Sequence, residues 1–171
     1  MECYISKLDL HTDINKVTEQ YGVLIITTPS FYLDSVLDPL SVSLENKVIF
    51  SAVKGIVPEK KLLVGAYLAE KFNVAEHLFG VITGPCHAEE VALERLSYLT
   101  VAGCSMTLIE QMKEKLACDY IQVSLSNDVI GAEYAATLKN VYAIAVGIAH
   151  GLGYGDNFIS CLLYTSDAAD E

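Results

Sequence analysis

Three short runs of β-branched and apolar residues constrain the fold of this chain most: Val23-Leu24-Ile25-Ile26-Thr27-Thr28, Lys47-Val48-Ile49-Phe50-Ser51-Ala52-Val53 and Leu78-Phe79-Gly80-Val81-Ile82-Thr83. Each is continuous rather than alternating, the pattern of a strand covered on both faces in a parallel sheet. Between the first two, Ser30 is predicted to cap a helix carrying Phe31, Leu33, Val36 and Leu37. Between the second and third, Pro58 is predicted to open a helix with Leu62, Leu63, Ala66 and Tyr67 on one face. Upstream, Asp13 is the expected cap of a short helix from Ile14 to Glu19, after an extended piece near Tyr4 to Leu8. Strands recurring with helices between them imply an α/β fold with a doubly wound parallel sheet.

After Thr83 the rhythm loosens. Gly84-Pro85 reads as a turn, and Ala88 to Leu96 as a helix with Val91, Ala92 and Leu96 inward. A strand from Tyr98 to Ala102, a helix presenting Leu108, Ile109, Met112 and Leu116, and a strand from Tyr120 to Leu125 follow. Ser126 or Asn127 is then expected to cap one long helix reaching His150.

Composition narrows the function classes. Apolar residues make up 52% of the 171, enough for a sizeable core, and 22 acids against 11 bases give a charge of −11. With no basic run, nucleic acid and anionic membrane surfaces are poor partners. No apolar stretch of membrane-spanning length runs without polar interruption, and Met1 to Ser6 lacks the basic start of a secretion signal, so the expectation is a cytoplasmic protein without membrane insertion. Cys3, Cys86, Cys104, Cys118 and Cys161 form no metal-type spacing and are expected to be reduced, mostly buried thiols; no metal site is predicted. The last eleven residues, Cys161 to Glu171, closely resemble the in-frame translation of a sequencing-library adapter and are expected to be non-native. Without the three acids of that tail (Asp167, Asp170 and Glu171), the charge of −11 becomes −8.

The most informative segment is Ala135 to Ala149, apolar all the way round, with Lys139 as its only charge. A helix of that kind is expected to be buried, and a buried ammonium must be paired or give up its proton, which suits it to acid and base work. The alternative is a lysine whose stem packs while its head reaches solvent. Lys54 follows the strand ending at Val53, and Gly84-Pro85-Cys86-His87-Ala88 follows the next strand. Both lie at the carboxyl edge where doubly wound sheets bind ligands, and the second leads into a helix N-terminus suited to an anion. Together they outline a pocket for an anionic substrate. Other features are read as structural: Gly151-Leu152-Gly153-Tyr154-Gly155 as a helix stop, Glu89, Glu90 and Glu94 as a solvated face, and Tyr67, Tyr98 and Tyr142 as core or rim.

Taken in order, Thr28-Pro29-Ser30, Val53-Lys54-Gly55-Ile56, Gly84-Pro85-Cys86-His87-Ala88-Glu89-Glu90, Gly131 to Val141 and His150 to Asn157 resemble the bacterial NAD(P)-dependent glycerol-3-phosphate dehydrogenases. The resemblance spans residues 5 to 160. It implies a Rossmann-like domain followed by the start of an all-α substrate and dimerisation domain, NAD(P)H as cofactor, and interconversion of dihydroxyacetone phosphate and sn-glycerol 3-phosphate for glycerophospholipid synthesis. By the same resemblance Lys139 is the catalytic lysine that exchanges the proton on the substrate C2 oxygen, and Lys54 contacts both substrate and cofactor. Gly84, Cys86 and Asn140 join Lys54 and Lys139 in binding substrate, and Ala88 contacts the cofactor. Cys86 stands where the family more often has Ser or Thr, which puts a hydroxyl hydrogen bond there in doubt.

The implied division is 1–84 for the rest of the dinucleotide-binding domain, 85–125 for its continuation, 126–160 for the first helix of the helical domain, and 161–171 for the adapter-derived tail. The family's first strand with its G-x-G-x-x-G turn, and the helices beyond position 160, are not found in this sequence. An internal fragment, inactive and poorly stable alone, is therefore expected, with room for a homodimer at full length. Two alternatives stay open at this point: a 3-hydroxyacid or 6-phosphogluconate type dehydrogenase, against which the adjacency of Lys139 and Asn140 argues, and a non-catalytic binding module derived from the same fold.

Overall fold

The computed structural model describes residues 10–167; the extended piece expected near residues 4 to 8 lies outside them. Helix α1 (Ile14–Gln20) is capped by Asp13, whose carboxylate accepts from Asn15 N at 2.9 Å. There follow β1 (Val23–Ile26), a 3-10 turn at Ser30–Tyr32, α2 (Leu33–Leu37), β2 (Val48–Ser51), α3 (Val64–Phe72) and β3 (Phe79–Thr83). After them come α4 (Ala88–Ala92), β4 (Ser97–Gly103), α5 (Met106–Leu116), β5 (Ile121–Ser126), α6 (Val129–Gly151) and α7 (Asp156–Asp167), the last unbroken across Ser160 and Cys161.

The five strands form one sheet in sequence order. Each face has its own core. On one side Leu33 and Leu37 of α2, Val64, Tyr67 and Leu68 of α3, and partly buried Val129 and Ala132 of α6 pack on Ile49, Phe79, Val81 and Ala102. On the other, Ile109 and Met112 of α5 pack on Phe50, Val101 and Val123. Alternate strand residues thus feed opposite layers, which is why the runs read as continuously apolar. Each fully buried Leu or Val stabilises the fold by about 2 kcal/mol relative to exposure.

The sheet is α/β and Rossmann-like but mixed rather than parallel. β1, β2 and β3 are parallel, with Ile25 opposite Phe50 and Ser51 opposite Val81. β4 runs antiparallel to β3, with Gly80 opposite Gly103 and Thr83 opposite Thr100, and β5 is parallel to β4. The cause lies in the connection. Five helical residues in α4 rise only about 7 Å, too little to return the chain along a strand, so β4 starts at the edge where β3 ends.

Several expected boundaries move for local reasons. Pro58 opens a turn instead of a helix: Val57 and Leu62 pair antiparallel, Lys61 takes φ 54°, and α3 starts only at Val64. Ser30 begins a 3-10 turn without acting as a side-chain cap, and Phe31 and Val36 face outward. Helix α4 stops at Ala92 because Glu94 adopts a left-handed conformation (φ 54°), with Arg95 N donating to Glu90 O and Glu94 N to Val91 O; Leu96 is exposed. β1, expected to be covered on both faces, leaves Val23 and Ile25 half-exposed. The cysteines are not buried as expected: Cys86 is half-buried, Cys104, Cys118 and Cys161 are exposed, and Cys3 lies outside the described residues. No described helix is long and apolar enough to cross a membrane.

Candidate functional site

Because β1, β2 and β3 are parallel, the loops that follow them leave from one edge of the sheet. They also touch. A Cβ built on Gly55 would lie 2.7 Å from Ser30 Oγ, so the loop after β2 rests against the turn after β1. Gly84, just past β3, has φ 129°, and a Cβ there would come 2.5 Å from Tyr98 O. No other residue fits that position without moving the β4 backbone. The turn is tied further by Tyr98 N donating to Pro85 O at 3.5 Å. It leaves Cys86 half-buried and His87 and Ala88 exposed at the start of α4. This helix spans five residues and carries Glu89 and Glu90 in its first turn, with no side-chain cap from His87. A helix this short, with two acids in its first turn, has a weak dipole for holding an anion. Lys54 is exposed at this edge, in the loop after β2.

The second half of the site is α6. Asp128, rather than Ser126 or Asn127, caps it: its carboxylate accepts from Gly131 N at 2.8 Å, while Ser126 Oγ accepts from Asp128 N at 3.0 Å. From there α6 passes over β4 and β3. Thr83, Thr100 and Ser126 on the sheet face, Asn127 and Asp128 at the cap, and Gly131, Ala132 and Ala135 on the helix enclose an open cleft of about 370 Å³. Small side chains on α6 make the room. Lys139 stands one turn beyond Ala135, hence on the same side of the helix. Both Lys139 and Asn140 are exposed.

That exposure corrects the expectation of a buried lysine. In α6 only Glu133, Ala136 and Ala149 are buried; Leu138, Val141, Ile144 and Ile148 lie open, with Ile144 63% exposed. An apolar helix needs a covering partner as well as an apolar surface, and the described residues cover only part of this one.

Of the residues singled out from sequence, Gly84 directly follows the cleft residue Thr83 with Cys86 two positions further on, and Lys139 stands one turn past Ala135 along α6 with Asn140 next to it, none of the four lining the cleft itself. Lys54 and Ala88 stand on adjoining loops but do not line the cleft. Sequence reasoning missed Asp128, Thr83, Thr100 and Glu133. Thr83 and Thr100 pair only because β4 reverses, which no hydrophobic pattern encodes. Gly151 ends α6 and Gly153 takes φ 81°, as expected of a helix stop.

Comparison with known proteins gives this arrangement a family. The profile of the NAD-dependent glycerol-3-phosphate dehydrogenase N-terminus matches residues 4–110, and that of the C-terminus matches residues 128–166. A glycerol-3-phosphate dehydrogenase (NAD(P)+) from Exiguobacterium is 35% identical over 154 residues, covering 89% of this chain and 45% of that protein. One from Lacticaseibacillus casei is 34% identical over 165 residues, covering 91% and 47%. Among solved structures, the glycerol-3-phosphate dehydrogenase of Plasmodium falciparum superposes with a TM-score of 0.79 at 25% identity, covering 91% of this chain and 44% of that one. The Coxiella burnetii enzyme gives 0.76 at 26%, covering 91% and 47%. The chain thus spans about half the length of the relatives it matches. Its two matched segments are those of one group, and the chain belongs to the NAD-dependent glycerol-3-phosphate dehydrogenase family.

Proposed function

We propose that the protein to which this chain belongs interconverts dihydroxyacetone phosphate and sn-glycerol 3-phosphate with NAD(P)H, in the cytoplasm, in the service of glycerophospholipid synthesis. The observation that supports this reading is a cleft between Thr83 and α6 whose two sides lead into the two motifs: Thr83 runs on into Gly84-Pro85-Cys86, and Ala135 is followed one helical turn later by Lys139. The residues fit a bound dinucleotide and a small phosphorylated substrate in kind: the sheet edge carries a close backbone turn at Gly84 and an exposed cation at Lys54, and the cleft is lined by the small residues Gly131, Ala132 and Ala135. Lys54 and Ala88 would hold the cofactor, which when bound supplies or accepts the hydride at C2.

The chain's own part is positioning and proton transfer. Lys139 Nζ gives a proton to the C2 oxygen as the carbonyl becomes an alcohol, and takes it back in reverse. Lys54 attracts the substrate phosphate, and Gly84, Cys86 and Asn140 orient the three-carbon body. A thiol donates more weakly than a hydroxyl, so Cys86 contributes more by shape than by hydrogen bonding. In this reading residues 1–84 and 85–125 serve the cofactor, 126–160 open the helical substrate domain that in two copies would form a homodimer, and 161–171 are adapter-derived.

The test is Lys139→Ala in the chain extended to the full length of its relatives. Turnover of dihydroxyacetone phosphate is expected to fall by about 10² to 10⁴-fold with NAD(P)H binding retained. Near-normal turnover would overturn the assignment.

A further inference from the structure

The described residues hold one buried carboxyl group that the chemistry above does not use. Glu133 is 8% exposed and lies on α6 six positions before Lys139. Its Oε1 accepts from Gly65 N at 3.0 Å, and the neighbouring Val64 amide also favours the charged carboxylate. These are the first two amides of α3, whose own N-cap residue, Leu63, has no side chain able to cap. Such amides lack partners inside the helix and form the positive end of its dipole. Glu133 therefore caps α3 from 68 residues away.

The contact is tight on every side. A Cβ on Gly65 would stand 3.1 Å from Glu133 Oε2 and 2.6 Å from the Phe79 ring. Phe79 opens β3, the strand that ends beside Gly84, and α3 continues the segment that begins at Lys54. Among the described residues no cation acts on the carboxyl: burial raises its pKa, and the backbone amides of Gly65 and Val64 oppose that. The site is built to hold one oxygen pair against one helix end, and the helix that supplies it also carries Lys139.

We propose that Glu133 is a positioning residue: by capping α3 it locks the rotation of α6 against the nucleotide-binding side and so sets where Lys139 stands relative to the cleft. This rests on the role given to Lys139 above. The experiment compares Glu133→Asp, which keeps the charge but shortens the reach, with Glu133→Gln, which keeps the reach without the charge, and with Lys139→Ala, all in the chain extended to family length. Glu133→Asp is expected to lower kcat by about tenfold to a hundredfold, the cost of a misplaced catalytic group, with the KM for NAD(P)H within twofold. Glu133→Gln should keep kcat within threefold of the parent. Hydrogen exchange at Val64 and Gly65 should speed up in the Asp variant only. An unchanged kcat in Glu133→Asp, or an equal loss in both Glu133 variants, against an inactive Lys139→Ala, overturns the role of Glu133 alone. Normal turnover in Lys139→Ala removes the reading of Lys139 and the role of Glu133 with it.

Discussion

The two halves of α6 are equally apolar and differently housed. From Val129 to Thr137 the helix sits on the sheet, with Val129 and Ala132 against the core and Glu133 and Ala136 buried. From Leu138 onward Leu138, Val141, Ile144 and Ile148 form an exposed stripe, and Ala149 alone is buried. The difference shows that an apolar pattern records the demand for a partner, while burial records whether that partner is within reach. Lys139 falls just past the boundary, which is why a lysine in the most apolar part of the sequence is exposed.

The sharpest way to break the comparison is to load each half in turn. Ala136→Leu should destabilise by about 1 to 3 kcal/mol through overpacking, whereas Ile144→Ala should stay within about 0.5 kcal/mol of the parent, both read from urea unfolding. Equal costs would mean that the second half has a partner after all. A smaller effect belongs to the start of the packed half: Asp128→Ala removes the bond to Gly131 N and should cost about 1 kcal/mol, with Asn in its place recovering most of it.

The smallest effects are pH-dependent, and their signs differ between regions. Asp34 accepts from Lys71 Nζ at 2.8 Å and from Tyr67 Oη at 2.6 Å, which holds its carboxyl below the usual range. Its contribution is present above the ordinary aspartate pKa and lost as pH falls through the lowered value. Glu133 is pushed the other way by burial, so its contribution is present below the ordinary glutamate pKa and fades as pH rises through the raised one. Unfolding at roughly pH 3 to 8 should therefore show the penalty of Asp34→Asn shrinking toward acid and Glu133→Gln gaining on the parent as pH rises. Tyr67, raised to about 12 by burial and then by its bond to Asp34, adds a loss above pH 10 that Tyr67→Phe should abolish.

Much of this fold was legible from residue order. The runs at 23–28, 47–53 and 78–83 contain β1, β2 and β3, and the expected helices around Ile109 and after Leu125 are α5 and α6. Strand direction was not legible, because side-chain alternation is the same for either polarity; only the length of α4 distinguishes them. The start of α3 was misplaced because Pro58 suits the first turn of a helix and a tight reversal equally well. In the site, Gly84 was readable as a turn and Lys139 as an anomaly. Glu133 could have been found by the reasoning applied to Lys139, as a lone acid bordering an apolar helix, but its partner Gly65 lies too far along the chain for spacing to suggest it.

The reversal at β4 also divides the sheet into two parallel pieces, β1–β2–β3 and β4–β5, joined by the ladder from Gly80–Gly103 to Thr83–Thr100, by the linker that contains α4, and by α6 packed back on β3 and α3. That linker is mostly exposed from Pro85 to Leu96, and exposed connections tolerate cleavage and insertion best. A cut in this linker is thus expected to leave both pieces held together, by the antiparallel seam and by α6.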